Sequence, residues 1–181
     1  MPSPHHACRL NMPAFAAQAE PLTGRTLLQN MERLAQEKTG LQADKAVDWE
    51  ARAEMRPGAG TDDDIWLHLQ ATTSLTLICQ RCMGPVDTPV AVDQWYRFVA
   101  TEDIAMAEDD DAEEDLLVLE PQFDLLAVLE DELLMALPVV PMHAACPVVP
   151  PMQAGESGAI DDAPKKPNPF AVLAQLKNTK Q

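Results

Sequence analysis

Basic residues are scarce in this chain and unevenly placed. Its 181 residues hold 13 Lys and Arg against 29 Asp and Glu, a formal net charge of −16, and no Lys or Arg lies between Arg97 and Lys165. Phosphate recognition is built on Lys and Arg, so this balance argues against simple binding to nucleic acid. It suits a basic partner, whose encounter the field would speed. No apolar run reaches the roughly 18 residues that a membrane span needs. The N-terminus lacks the basic region, apolar core and cleavage site of a secretory signal. The four cysteines, Cys8, Cys79, Cys82 and Cys146, are not spaced as a secreted disulfide framework. The expectation is therefore a cytoplasmic protein with reduced thiols. Also missing are a nucleophile elbow, a phosphate-binding loop, a dinucleotide fingerprint and the glycine turn of a calcium loop. No residue is assigned as catalytic, and the chain is not expected to be an enzyme.

What is present suffices for one folded unit. Hydrophobic residues make up 46% of the chain, and the 16 prolines cluster near the ends and in late loops. A core of about 120–130 residues with mobile tails follows. The expected organisation is a flexible arm over 1–21, an α+β core over 22–150, a linker over 151–167, and a short helix and tail over 168–181. Residues 24–38 carry an apolar stripe at helical spacing through Leu27, Met31 and Leu34, which predicts a helix. Residues 47–56 alternate Val47, Trp49, Ala51, Ala53 and Met55 with charged residues, the pattern of a half-buried strand. A long strand follows over 65–78, expected to bend or bulge midway, then a third over 86–99. Short turns between the three predict an antiparallel meander. The acidic stretch 101–115 predicts a disordered, solvated loop, with a short strand at 116–119. Asp124 caps a helix over 124–137 that Pro138 ends. At the end of the chain, Asn168, Pro169 and Phe170 open a last short helix. The fold class is α+β, an antiparallel sheet covered by helices.

Cys79-Gln80-Arg81-Cys82 is a C-x-x-C, and His143-Ala144-Ala145-Cys146 supplies an H-x-x-C later in the chain. Two ligand pairs, each on a tight turn, are how a structural zinc site is assembled. Such a site would staple the loop after a helix to the end of a strand. The pattern leaves two readings open: Cys79, Cys82, His143 and Cys146 bind zinc, or they only pack. A dithiol redox motif fits poorly, because it belongs at a helix start in a βαβ setting. Four ligands leave no open position, so a zinc-dependent enzyme is the weaker alternative. Elsewhere, Trp66 and Trp95 on an outer sheet face, beside Arg81 and Arg97, could stack RNA bases.

The order of these features carries a resemblance. Cys79–Cys82 is followed by the acidic stretch, by Asp124-Leu125-Leu126 and Leu137-Pro138, by His143 and Cys146, and by Asn168-Pro169-Phe170. This resembles the YceD-type large ribosomal RNA accumulation family over residues 22–178. The resemblance implies a non-enzymatic factor in ribosome biogenesis, needed for accumulation of the 23S rRNA of the large ribosomal subunit. Joined to the charge pattern, it leads to an acidic receptor for a basic ribosomal protein or assembly factor. Glu108, Asp109, Asp110, Asp111, Glu113, Glu114 and Asp115 would form it, with the Glu130–Glu132 turn. Direct binding to the 23S rRNA precursor is the alternative. A further one is an interaction module whose Asn168-Pro169-Phe170 helix docks in a partner groove.

Overall fold

The computed structural model describes residues 6–37, 45–58 and 63–148. The linker over 151–167 and the Asn168-Pro169-Phe170 helix lie outside the described residues. Five strands form one sheet in sequence order: β1 (Leu22–Leu27), β2 (Ala46–Pro57), β3 (Asp63–Ile78), β4 (Pro85–Val99) and β5 (Asp115–Val118). The first four are antiparallel neighbours, and β5 runs parallel to β4. A parallel neighbour requires a crossover, and α3 (Glu102–Glu108) provides it. The α+β expectation and its three-strand meander hold, extended by one strand at each edge.

Alternation places the core. Val47, Ala51, Leu67, Leu69, Leu75, Val90, Val92, Tyr96 and Phe98 are buried along one face of the sheet. Helix α1 (Met12–Gln18) and helix α4 (Leu125–Met135) cover that face. Leu125, Leu129 and Leu133 sit one turn apart on α4 and are fully buried, the spacing of a single apolar stripe. The Asp124 side chain accepts from the Ala127 N–H and caps α4 as the sequence predicts. Tyr96 also belongs to this core. Its hydroxyl is buried without a well-formed hydrogen bond, and burial, with the Glu132 carboxylate nearby, pushes its pKa up.

Several expectations are corrected. The register of β3 against both neighbours is unbroken, so the strand carries no bulge. Residues 24–38 are not one helix: they continue β1 into a 3-10 turn (Leu28–Asn30) and a short helix α2 (Leu34–Glu37). Of the apolar stripe Leu27, Met31 and Leu34, the last two reach the core, while Leu27 is exposed at the end of β1 and its neighbour Leu28 is buried instead. Thr23, Gly24 and Thr26, poor helix formers, instead pair with β2. Here Gly24 is required by packing: a Cβ on it would lie 2.2 Å from the Trp49 ring. That ring is held by its own Nε1–H donating to Thr26 Oγ1 at 3.0 Å.

Among the described residues of the expected N-terminal arm, 6–18 are not loose. Asn11 caps α1, and Leu10, Met12 and Phe15 are buried. Leu10 and Phe123 exchange backbone hydrogen bonds at 2.8 and 2.9 Å, and Leu125 N–H donates to Ala7. The segment thus closes the strand-like approach to α4, which a reading of local periodicity does not reveal.

The acidic stretch is likewise folded where it was expected to be disordered. Thr101 accepts from the Ile104 N–H and caps α3, and Glu102 and Asp103 occupy its first turn, where the helix dipole favours acids. Arg97 then ties the segment down. Its Nε meets Glu114 at 2.6 Å, and its Nη1 meets Glu108 at 2.9 Å and Asp64 at 3.9 Å.

Candidate metal centre and partner surface

The β3–β4 turn and the segment after α4 meet at one end of the sheet. Gly84 and Cys79 close the turn with a 2.8 Å backbone bond, and Met83 takes a positive φ of 59° within it. The Gln80 N–H donates to the Pro141 carbonyl at 2.9 Å and pulls the second segment alongside. The result brings together all four ligands named from sequence. Donor atoms of Cys79, Cys82, His143 and Cys146 lie within 4.8 Å of one another.

Two of the donor separations match those around a tetrahedral ion. Zinc bonds of about 2.3 Å to sulfur and about 2.0–2.1 Å to nitrogen put neighbouring donors roughly 3.5–3.8 Å apart. Cys79 Sγ and Cys146 Sγ are 3.8 Å apart, and Cys82 Sγ and His143 Nδ1 are 3.4 Å apart. His143 Nε2 lies 2.9 Å from the Pro85 carbonyl oxygen. A proton on Nε2 donated there leaves Nδ1 as the free lone pair, the outer-shell bond that orients a histidine ligand. Cys79 is fully buried, and the other three are partly buried. Burial works against the Cys79 thiolate, but N–H groups of Cys82, His143 and Arg81 outweigh it and bring its pKa down. Burial and then the neighbouring sulfurs of Cys82 and Cys79 push Cys146 up. One thiol of a crowded pair therefore gives up its proton readily and the next does not, the situation a divalent cation relieves. These four residues could bind a metal such as zinc.

The acidic residues divide into two groups. Glu108 and Glu114 are paired with Arg97, and Asp115 accepts from Gln94 at 3.1 Å. Asp109, Asp110, Asp111 and Glu113 stay exposed, with no ion pair among the described residues. The Glu130–Glu132 turn has structural duties. Glu130 accepts from the Arg33 and Leu34 N–H groups at 2.8 and 3.0 Å, at the N-terminus of α2, and Asp131 pairs with the Arg33 guanidinium. The sequence, counted locally, shows no base near these acids; the fold supplies Arg33 and Arg97 from distant positions.

The two arginines expected beside the tryptophans are not available there. Arg97 does sit opposite Trp66 in the ladder, but its side chain is only 16% exposed and is held by carboxylates. Arg81 lies in the β3–β4 turn, at the other end of the hairpin from Trp66 and Trp95, with Nη2 3.9 Å from Met142 Sδ. The cation that does reach the tryptophans is Arg56 on β2. Its outward place in the alternation beside Glu54 is the signal that could have pointed to it.

No helix among the described residues is long and apolar enough to cross a membrane. Among known proteins, the family described as "Large ribosomal RNA subunit accumulation protein YceD" matches residues 67–177. This span contains the metal-ligand set, the acidic segment and Asn168-Pro169-Phe170. A relative of the same description from Haemophilus influenzae strain Rd is 39% identical over 109 residues. That match covers 56% of this chain and 59% of the relative, less than two thirds of its length. No solved structure matches. The chain belongs to the YceD family of large ribosomal RNA subunit accumulation proteins.

Proposed function

We propose that this protein is a non-enzymatic factor supporting accumulation of large-subunit ribosomal RNA, and that it acts by binding a basic ribosomal protein or assembly factor. Family membership supports the first part. One observation carries the second: Asp109, Asp110, Asp111 and Glu113 form an exposed run of carboxylates with no base pairing them among the described residues. They are held in place by α3 on one side and the Arg97–Glu114 pair on the other. A fixed acidic surface attracts a Lys- and Arg-rich partner at less cost in ordering than a disordered loop would. Zinc at Cys79, Cys82, His143 and Cys146 has a structural part in this reading. A complete set of four ligands leaves no position for a substrate, so the metal would fix the loop after α4 to the sheet.

The test is capture of the tagged full chain from its own cells, with and without RNase, at low and high salt. A basic protein that survives RNase and is released by salt is expected. Large-subunit rRNA precursor recovered directly, and lost with RNase, would overturn this reading in favour of RNA contact.

A further inference from the structure

The outer face of the sheet holds an arrangement that neither the metal tetrad nor the acidic run uses. Trp66 and Trp95 are half-buried there, with ring centroids 6.4 Å apart and planes inclined by 66°. The guanidinium carbon of Arg56 lies 4.4 Å from the Trp66 centroid and 4.2 Å from that of Trp95. The His68 ring is stacked flat against Trp95 at 4.2 Å, and Nε2 holds it to Asp93 at 2.6 Å. Arg56, the two tryptophans, Glu113 and Glu114 wall an open cleft of about 480 Å³.

A tryptophan face is electron-rich and attracts a cation placed over it. Two such faces meeting around one guanidinium, with carboxylates at the rim, make a site for an arginine side chain. In the free protein the chain's own Arg56 fills it. Its hold is weak: its ion-pair partner, Glu54 at 2.5 Å, is 50% exposed, and Arg56 itself is 36% exposed. Exposed pairs of this kind contribute little.

We propose that the Trp66–Trp95 cleft docks an arginine side chain of a basic protein partner, and that Arg56 is the internal occupant it displaces. This rests on the reading that the partner is basic. Charge selects the occupant. Glu113 is exposed and without an ion pair among the described residues, and Asp64 faces Arg56 across the β2–β3 ladder. A nucleobase could stack on the same rings, but its phosphates would meet these carboxylates on a chain of net charge −16. A displaced Arg56 keeps Glu54, its existing partner, and lies across the ladder from Asp64, while the incoming arginine gains Glu113.

The experiment titrates the full chain with a fluorescein-labelled arginine-rich peptide, its lysine counterpart and single-stranded oligouridine RNA. Anisotropy reports binding, and tryptophan emission reports the cleft. The arginine peptide is expected to bind, to perturb the emission, and to bind more tightly than the lysine peptide, which lacks the planar group that stacks. R56A should tighten binding by roughly three- to tenfold, the size of a released cation–π contact. R52A removes the same charge from the same face without touching the rings, and should change binding less than about twofold. W66A and W95A, or W66L and W95L where alanine impairs folding, should weaken it by factors like those of R56A. Equal effects of R56A and R52A, wild-type binding by the folded tryptophan variants, or preferential binding of RNA through these rings would each overturn the proposal. If the peptide binds but ignores the tryptophans, only the cleft assignment fails. If no basic peptide binds at all, the reading of a basic partner fails with it.

Discussion

Withdrawing metal from Cys79, Cys82, His143 and Cys146 should loosen one end of the molecule and leave the rest folded. The tetrad joins only the β3–β4 turn to the segment after α4. The buried leucines of α4, the α1 residues Met12 and Phe15, and most of the sheet interior do not depend on it. This differs from a small zinc domain, in which metal binding and folding are one event. A metal at about 100 times its dissociation constant adds about 2.7 kcal/mol of apparent stability. In a chain of this size each kcal/mol moves the melting midpoint by about 2–4 °C. Chelation should therefore lower the midpoint by roughly 5–11 °C. C146S should show a similar loss and no response to added zinc. The loss should also be local. The Gln80 N–H, bound to Pro141, and the His143 N–H, 3.5 Å from Cys79 Sγ, should lose hydrogen-exchange protection while central amides of β3 keep theirs. Metal analysis of the purified full chain, melting with and without chelator, and hydrogen exchange make the assay. No stoichiometric metal together with no zinc-dependent change in midpoint would refute the reasoning, and so would global unfolding on chelation.

G24A should destabilise the fold by about 1–3 kcal/mol, as overpacking does, because its Cβ would fall 2.2 Å from a Trp49 ring that Thr26 holds; denaturant unfolding checks it, and a neutral result would place Trp49 elsewhere. E130A should cost about 1 kcal/mol, like loss of a helix cap, since it frees the Arg33 and Leu34 N–H groups; the readout is thermal melting. R97M should cost about 2 kcal/mol, between exposed and buried ion pairs, and release α3, seen as lost hydrogen-exchange protection around Glu108. Burial would raise the Glu114 pKa, but its bond to Arg97 outweighs this and holds it below the ordinary 4.5. That stabilisation is fully present above the ordinary value and is lost as pH falls through the lowered one. Stability-against-pH curves should therefore drop less on the acid side in R97M than in wild type, and identical acid limbs would contradict the pairing.

Features with a short-range signature were legible in the sequence. Alternation gave β2, β3 and β4, Asp124 and the leucine spacing gave α4, and two tight-turn motifs gave the metal ligands. What misled were patterns that only tertiary structure resolves. Leu27, Met31 and Leu34 have helical spacing, but the segment runs as a strand, a 3-10 turn and a short helix, so Met31 and Leu34 reach the core with Leu28 while Leu27 is exposed. The burial of Met31 and Leu34 was predictable; the local conformation was overridden by pairing with β2. The acidic stretch seemed unable to pack because its neutralising base, Arg97, belongs to the preceding strand. Leu10 and Phe15 lie in a segment too short to show a period, and they are buried because α4 and the sheet need a cover. The contacts of Arg56 have no local signature, because its aromatic partners lie on two other strands.

The most direct measurement is the ratio of large- to small-subunit ribosomal RNA in cells whose own copy is replaced by a D109N/D110N/D111N/E113Q chain. If the exposed carboxylates are the working surface, that chain should fold and keep its metal set, yet leave large-subunit rRNA as depleted as when the protein is absent. A normal ratio would contradict the acidic receptor and move the function to another surface of the molecule.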